Sequence, residues 1–268
     1  MTNLHTTSGL PIHVDGQAGE LQLGEGLLCD AVESRTLGNL VGVLAYPESV
    51  ADRETEIAYR VYRDVRAEAD APDIATSGLR YDLTVILAGT NGREFNKTAG
   101  HRHRPRRGEQ AFPEVYDVLA GRAMFVLQWD APLRLAIVQC GPGERVLIPG
   151  EAAHLSVNIG AEPLVIANLV AAVSKNEYDE FRAHHGAAIY LLQPEDGAAE
   201  VRQVINRSYP ETPTWRTIEG SRIGSFAPQD RPLYSAMIAS PGEFAYLTDP
   251  ASVSDDIQAL WVEHRPEG

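Results

Sequence analysis

Between Tyr81 and Val173 the apolar residues gather into runs of five to eleven positions, each closed by Gly, Pro, Asn or Asp. The runs are YDLTVILAG from Tyr81, EVYDVLAG from Glu114, RAMFVLQW from Arg122, LRLAIVQC from Leu133, ERVLIPG from Glu144 and PLVIANLVAAV from Pro163. Short segments rich in Val, Ile, Leu and aromatics, spaced by roughly 8–12 residues with turn chemistry between them, predict consecutive strands of a sandwich or barrel. The punctuation is clear at Ala120-Gly121, Trp129-Asp130-Ala131-Pro132, Gly141-Pro142-Gly143, Pro149-Gly150 and Gly160-Ala161-Glu162-Pro163. No glycine-rich phosphate loop and no βαβ alternation is visible, which argues against a doubly wound fold. The fold class expected is all-β, with short flanking helices.

The flanks are weaker in pattern. Residues 56–65 (EIAYRVYRDV) alternate, with Ile57, Tyr59 and Val61 on one face, and predict another strand. Residues 70–77 (DAPDIATS) read as a polar loop. Residues 187–193 and 201–206 read as two strands around Pro194-Glu195-Asp196-Gly197. From about Tyr209 the rhythm is broken by Pro210, Pro213 and Gly220, and helices are expected at Pro241–Leu247 and Ser254–Val262, the second with acidic residues in its first turn. The expected organisation is an N-terminal segment with added strands over residues 1–78 and a barrel core over 79–207. An extension over 208–268 would then pack on the barrel or on a partner subunit.

At 268 residues, 44% of them hydrophobic, the chain is long enough to bury a full core without disulfides or a structural metal. A metal here would therefore serve chemistry. With 23 basic against 37 acidic side chains the net charge is −14, which disfavours nucleic acid or an anionic membrane as partner. Two cysteines, Cys29 and Cys140, fit a reducing compartment. The first residues carry no Lys or Arg ahead of an apolar run, unlike a signal peptide. The longest apolar stretch, 163–173, is interrupted by Asn168 and falls short of the ~18 residues of a membrane span. A cytoplasmic protein is expected.

Candidate chemistry sits in Lys97-Thr98-Ala99-Gly100-His101-Arg102-His103, followed by Glu114 and by His154. In extended chain, positions i and i+2 share a face, so His101 and His103 point the same way. Glu114 stands between Pro113 and Val115 at the start of an apolar run, where an ionised carboxylate needs compensation such as a divalent cation. His154 begins the strand after a Pro-Gly turn. Three imidazoles and one carboxylate suit Fe, Mn, Ni, Co or Zn, with positions left open for substrate. Either a solvated turn or a device for focusing an anion is implied by the six basic residues between Arg93 and Arg107 (Arg93, Lys97, Arg102, Arg104, Arg106 and Arg107), against one acid, Glu94. His184-His185 reads as an exposed helix end.

The arrangement GHxH…E…PG…H is similar to the cupin motifs, and over residues 59–206 the chain resembles the archaeal-type cupin glucose-6-phosphate isomerases. That resemblance implies a homodimeric jelly-roll barrel, one divalent metal per subunit (Fe, Mn, Ni or Zn), and a phosphorylated small-molecule sugar as substrate. It places metal ligands at His101, His103, Glu114 and His154, with Glu114 also the catalytic base. It places the phosphate at Tyr59, Thr84, Thr98 and Gly100, and the sugar against Tyr116 and Tyr178. Hydroxyls and backbone N–H groups from several strands suffice to hold a dianion, and Gly100 admits close backbone approach. The chain departs from the family's pattern at Asn176, where a pocket histidine is usual, and at Val170, where a pocket tyrosine is. A different phosphorylated sugar therefore stays open. So does an oxidative cupin (a dioxygenase), because the same donor set serves Fe(II) and O₂.

Overall fold

A computed structural model of the chain describes residues 1–105, 110–130, 133–195, 200–220, 227–252 and 254–262. The apolar runs become strands, and these strands form two facing sheets. The larger sheet has six strands in the order Arg145–Ile148, Glu114–Ala120, Leu164–Ala171, Leu79–Ile86, Ile57–Arg63 and Ala31–Thr36, with every neighbouring pair antiparallel. The smaller has Ala153–Asn158, Ala123–Asp130, Leu133–Cys140 and Thr214–Glu219, the last pair parallel. The architecture is the all-β, jelly-roll type expected of the sequence.

Between the sheets lies one core, containing Tyr116, Val118, Phe125, Leu127, Leu135, Ile137, Leu155 and Ile166. A second core lies on the outer face of the six-stranded sheet. There Tyr81, Leu83, Val115, Leu147, Val165 and Leu169 meet Leu4, Leu10 and Ile12 from the N-terminus and Leu233, Tyr234, Met237, Phe244 and Leu247 from the C-terminal segment. The strand Leu164–Ala171 is buried at every position, which explains why it reads as a continuous apolar run rather than as an alternation. Full burial of each such side chain contributes roughly 1.5–3 kcal/mol, so covering the outer face is a large stabilising term. Tyr234 anchors the cover: its ring meets Tyr81 edge-on at 5.3 Å, its hydroxyl donates to Asp70 at 2.7 Å and accepts from the Ala67 N–H at 2.9 Å.

Two expectations are corrected. Residues 70–77 are not a loop: Glu68–Asp70 is a 3₁₀ turn and Ala71–Ser77 an α-helix with Pro72 in its first turn and a left-handed Gly78 at its end. Those are ordinary start and stop signals, and Ile74 supplies the buried contact. Pro241–Leu247 is helical as read, in 3₁₀ form. Beyond Tyr209 the chain also forms the strand Thr214–Glu219 and the α-helix Leu233–Ala239, neither of them expected. The strand is an edge with only Ile218 buried, so its sequence carries little periodic signal. Ser254–Val262 is helical as read. The turn after Trp129 and the one at Pro194–Gly197 lie partly outside the described residues. No helix among the described residues is long and apolar enough to cross a membrane.

Candidate active site

His101 and His103 enter the space between the sheets from a short segment, Arg102–His103, that pairs with Asn176–Glu177. His101 exchanges two backbone hydrogen bonds with His154, at 2.9 and 2.8 Å, which fixes the loop against the strand Ala153–Asn158. Glu114 opens the facing strand of the larger sheet. The four side chains converge: their ligand-type atoms all lie within 4.8 Å of one another.

Hydrogen bonding behind the cluster decides which ring atoms face inward. Nδ1 of His103 lies 2.6 Å from the Phe112 carbonyl, and Nδ1 of His154 lies 3.3 Å from that of Ala152. A carbonyl only accepts, so each Nδ1 carries the proton and each Nε2 presents a lone pair. Both lone pairs face Glu114 Oε2, at 3.3 Å from His103 and 3.2 Å from His154. Glu114 Oε2 and His154 Nε2 are buried and have no hydrogen-bond partner. Three acceptors turned on one point in a dry interior are mutually costly unless a cation lies among them, so the residues present fit a divalent metal.

The pKa directions in the cluster are set by burial and by the imidazole–carboxylate contacts. Burial, reinforced by His154 and His103, holds the His101 imidazole well below 6.5 and therefore neutral. Burial pushes the Glu114 carboxyl up, but the two imidazoles outweigh it and hold it well below the usual carboxylate range. Burial lowers the His103 pKa, and the Glu114 carboxylate more than reverses this. Glu114 Oε1 accepts a 2.6 Å hydrogen bond from the Asn168 side-chain amide, which leaves Oε2 aimed at the imidazoles. Asn168 was not singled out in the sequence; it interrupts an apolar strand, which is the signal that points to it.

All ten residues named from the sequence line one cavity: Tyr59, Thr84, Thr98, Gly100, His101, His103, Glu114, Tyr116, His154 and Tyr178. The Tyr178 ring lies 5.9 Å from that of His101, and Tyr116 lies 5.9 Å from His154. Thr98 is held to the strand behind it by bonds of 2.9 and 3.1 Å to the Ser156 backbone. Asn176 and Val170 line the same cavity. Its volume is about 60 Å³, small beside the ~300–1,000 Å³ of typical ligand pockets. A ligand larger than this enters only as side chains at the mouth give way. A much larger cavity of about 1140 Å³ opens near Phe95, Arg122 and Thr217, but among the described residues no cluster of metal-type donors lines it.

Among the described residues the basic segment does not form a free patch. Arg93 pairs with Glu195, Lys97 is buried against Glu94 at 2.5 Å, and Arg102 bonds Glu180 and Asp130 at 2.7 and 2.6 Å. Arg104 meets Glu177 at 3.3 Å, while Arg106 and Arg107 lie outside the described residues. The cationic groups that line the cavity are instead Arg35, Arg63 and Arg80, which the sequence did not single out. His184 stacks on Tyr209 at 4.2 Å and caps its helix.

The model of the Glucose-6-phosphate isomerase (GPI) family matches residues 34–211. A glucose-6-phosphate isomerase of Pyrococcus horikoshii is 28% identical over 172 residues, 63% of this chain and 82% of that one. One of Thermococcus kodakarensis is 28% identical over 180 residues, 66% of this chain and 87% of that one. Among solved structures, an oxalate oxidase shares 17% identity, with a TM-score of 0.33, over 42% of this chain and 50% of its own; this loose likeness has no bearing on activity.

Proposed function

This chain belongs to the glucose-6-phosphate isomerase family, and from that premise we propose that it is a metal-dependent aldose–ketose isomerase interconverting glucose 6-phosphate and fructose 6-phosphate. The observation that carries the reading is the convergence of four donors within 4.8 Å, two of their atoms buried without a partner. His101, His103, Glu114 and His154 would hold one divalent ion (Fe, Mn, Ni or Zn). When bound, such an ion acts as a Lewis acid toward the sugar's carbonyl oxygen.

The chain's own residues do the rest. Tyr59, Thr84, Thr98 and Gly100 hold the phosphate through hydroxyls and backbone N–H groups. Tyr116 and Tyr178 shape the wall against which the open-chain sugar lies. Glu114 is the base that moves a proton between C2 and C1, a role that contributes typically 10²–10⁴-fold. Asn168, bonded to Oε1, fixes the orientation of the Glu114 carboxylate.

The test is an isomerase assay on hexose and pentose phosphates, with enzyme stripped by a chelator and then reloaded with Fe(II), Mn(II), Ni(II) or Zn(II). Turnover should vanish on stripping and return on reloading; full activity in the stripped protein ends the reading. Deuterium at C2 should exchange with solvent during turnover if Glu114 carries the proton. Oxygen uptake without isomerisation would replace the isomerase by an oxidative enzyme.

A further inference from the structure

The mouth of the cavity carries guanidinium groups in excess of what its ion pairs require. Asp82, fully buried, accepts four hydrogen bonds: from Arg63 Nη1 at 2.8 Å, from Arg80 Nε to both oxygens at 3.0 Å, and from the Asp64 N–H at 2.9 Å. Arg63 is braced again by Glu33, at 3.0 Å through its Nε, and Glu33 also pairs with Arg35 at 2.7 Å. Three guanidiniums thus share two carboxylates on a protein of net charge −14. Arg63 and Arg80 are each a quarter exposed, and both line the cavity. Among the described residues neither Nη2 has a partner.

A network built only for stability does not hold spare donors toward a cavity. One carboxylate clamping two arginines fixes both forks in place, which is the preorganisation that oxyanion recognition needs. The pair also stands apart from the hydroxyl cradle. Arg80 is level in the sheet with Val170 and Glu114, at the sugar-facing end, whereas Thr84 is level with Ile166 and Val61.

We propose that Arg63 and Arg80, clamped by Asp82, form a second anion subsite at the mouth of the pocket, which binds sugar phosphates bearing a further acidic group, a carboxylate or a second phosphate, as competitors of the isomerised substrate. This rests on the sugar-phosphate reading above and names the ligand class that competes at its site.

The experiment is equilibrium binding by calorimetry on the full, metal-loaded chain, which requires no turnover. Fructose 6-phosphate is compared with fructose 1,6-bisphosphate and with 6-phosphogluconate, in the wild type and in Arg63→Gln, Arg80→Gln and Arg80→Lys. At least one bis-anionic ligand should bind about tenfold or more tightly than the monophosphate. That preference should fall to threefold or less in the Gln variants and be partly kept by Arg80→Lys. Which of the two ligands gains tells phosphate from carboxylate. An advantage that persists in all variants belongs to the metal instead and overturns the subsite. So does an equal loss for all three ligands, which would give the arginines to the single phosphate, or no change at all. Binding with the expected preference but no isomerisation would sink the isomerase reading and leave the subsite standing. Should Arg63→Gln fail to fold, Arg80→Gln carries the test, because Arg80 is held by Asp82 and only a long contact to the Ala172 carbonyl.

Discussion

At Gly100 the backbone takes φ +77, a left-handed conformation, and a Cβ there would lie 2.4 Å from the buried Phe181 ring and 3.1 Å from Leu155. Glycine is required twice over, by conformation and by space, immediately before His101. Gly100→Ala should cost on the order of 2–4 kcal/mol in a denaturant melt, and it should lower metal content in elemental analysis by displacing His101. A variant as stable and as metal-replete as the wild type would show that the loop has slack. The donor set was legible at this scale because an HxH in extended chain has its parity fixed by the backbone. Asn168 was not, because its partner Glu114 is 54 residues away and nothing local pairs them.

Individual strands were the most readable elements: Leu133–Cys140 matches its apolar run from end to end. What joins elements together was less so. Arg145 and Asp117 face each other across neighbouring strands at 3.0 Å, buried, and Arg145 also donates to the Arg231 carbonyl at 2.6 Å, tying the sheet to the C-terminal segment. Burial pushes Asp117 up to about 6 despite the guanidinium, above the ~3.9 of an unfolded aspartate. With the folded value raised, its contribution to stability is full below about pH 4 and is lost as the pH rises through about 6. Asp117→Asn should flatten the pH dependence of stability between those values. Because asparagine resembles the protonated carboxyl that burial favours, stability below about pH 4 should change little. Urea melts at several pH values measure both, and parallel wild-type and variant curves would remove Asp117 as the cause.

For the molecule as a whole, the decisive feature is a sheet buried on both faces, one against the metal-type cluster and the other under the two ends of the chain. The faces should be separable. Phe244, fully buried in the outer core, should cost about 3–5 kcal/mol when replaced by alanine, while metal stoichiometry below the melting transition stays that of the wild type. Loss of metal in a folded Phe244→Ala protein would show that the faces are coupled. The amino-acid sequence by itself determined the strands, their turns and the kinds of donor at residues 101, 103, 114 and 154. Each of these is written in backbone periodicity and side-chain chemistry over a few residues. Only the tertiary structure decided that Arg93, Lys97, Arg102 and Arg104 pair with Glu195, Glu94, Glu180 and Glu177, that Arg35, Arg63 and Arg80 reach the cavity, and that the C-terminal segment covers the sheet. Ion pairing and layer burial depend on which distant strands become neighbours, and no local spacing encodes that.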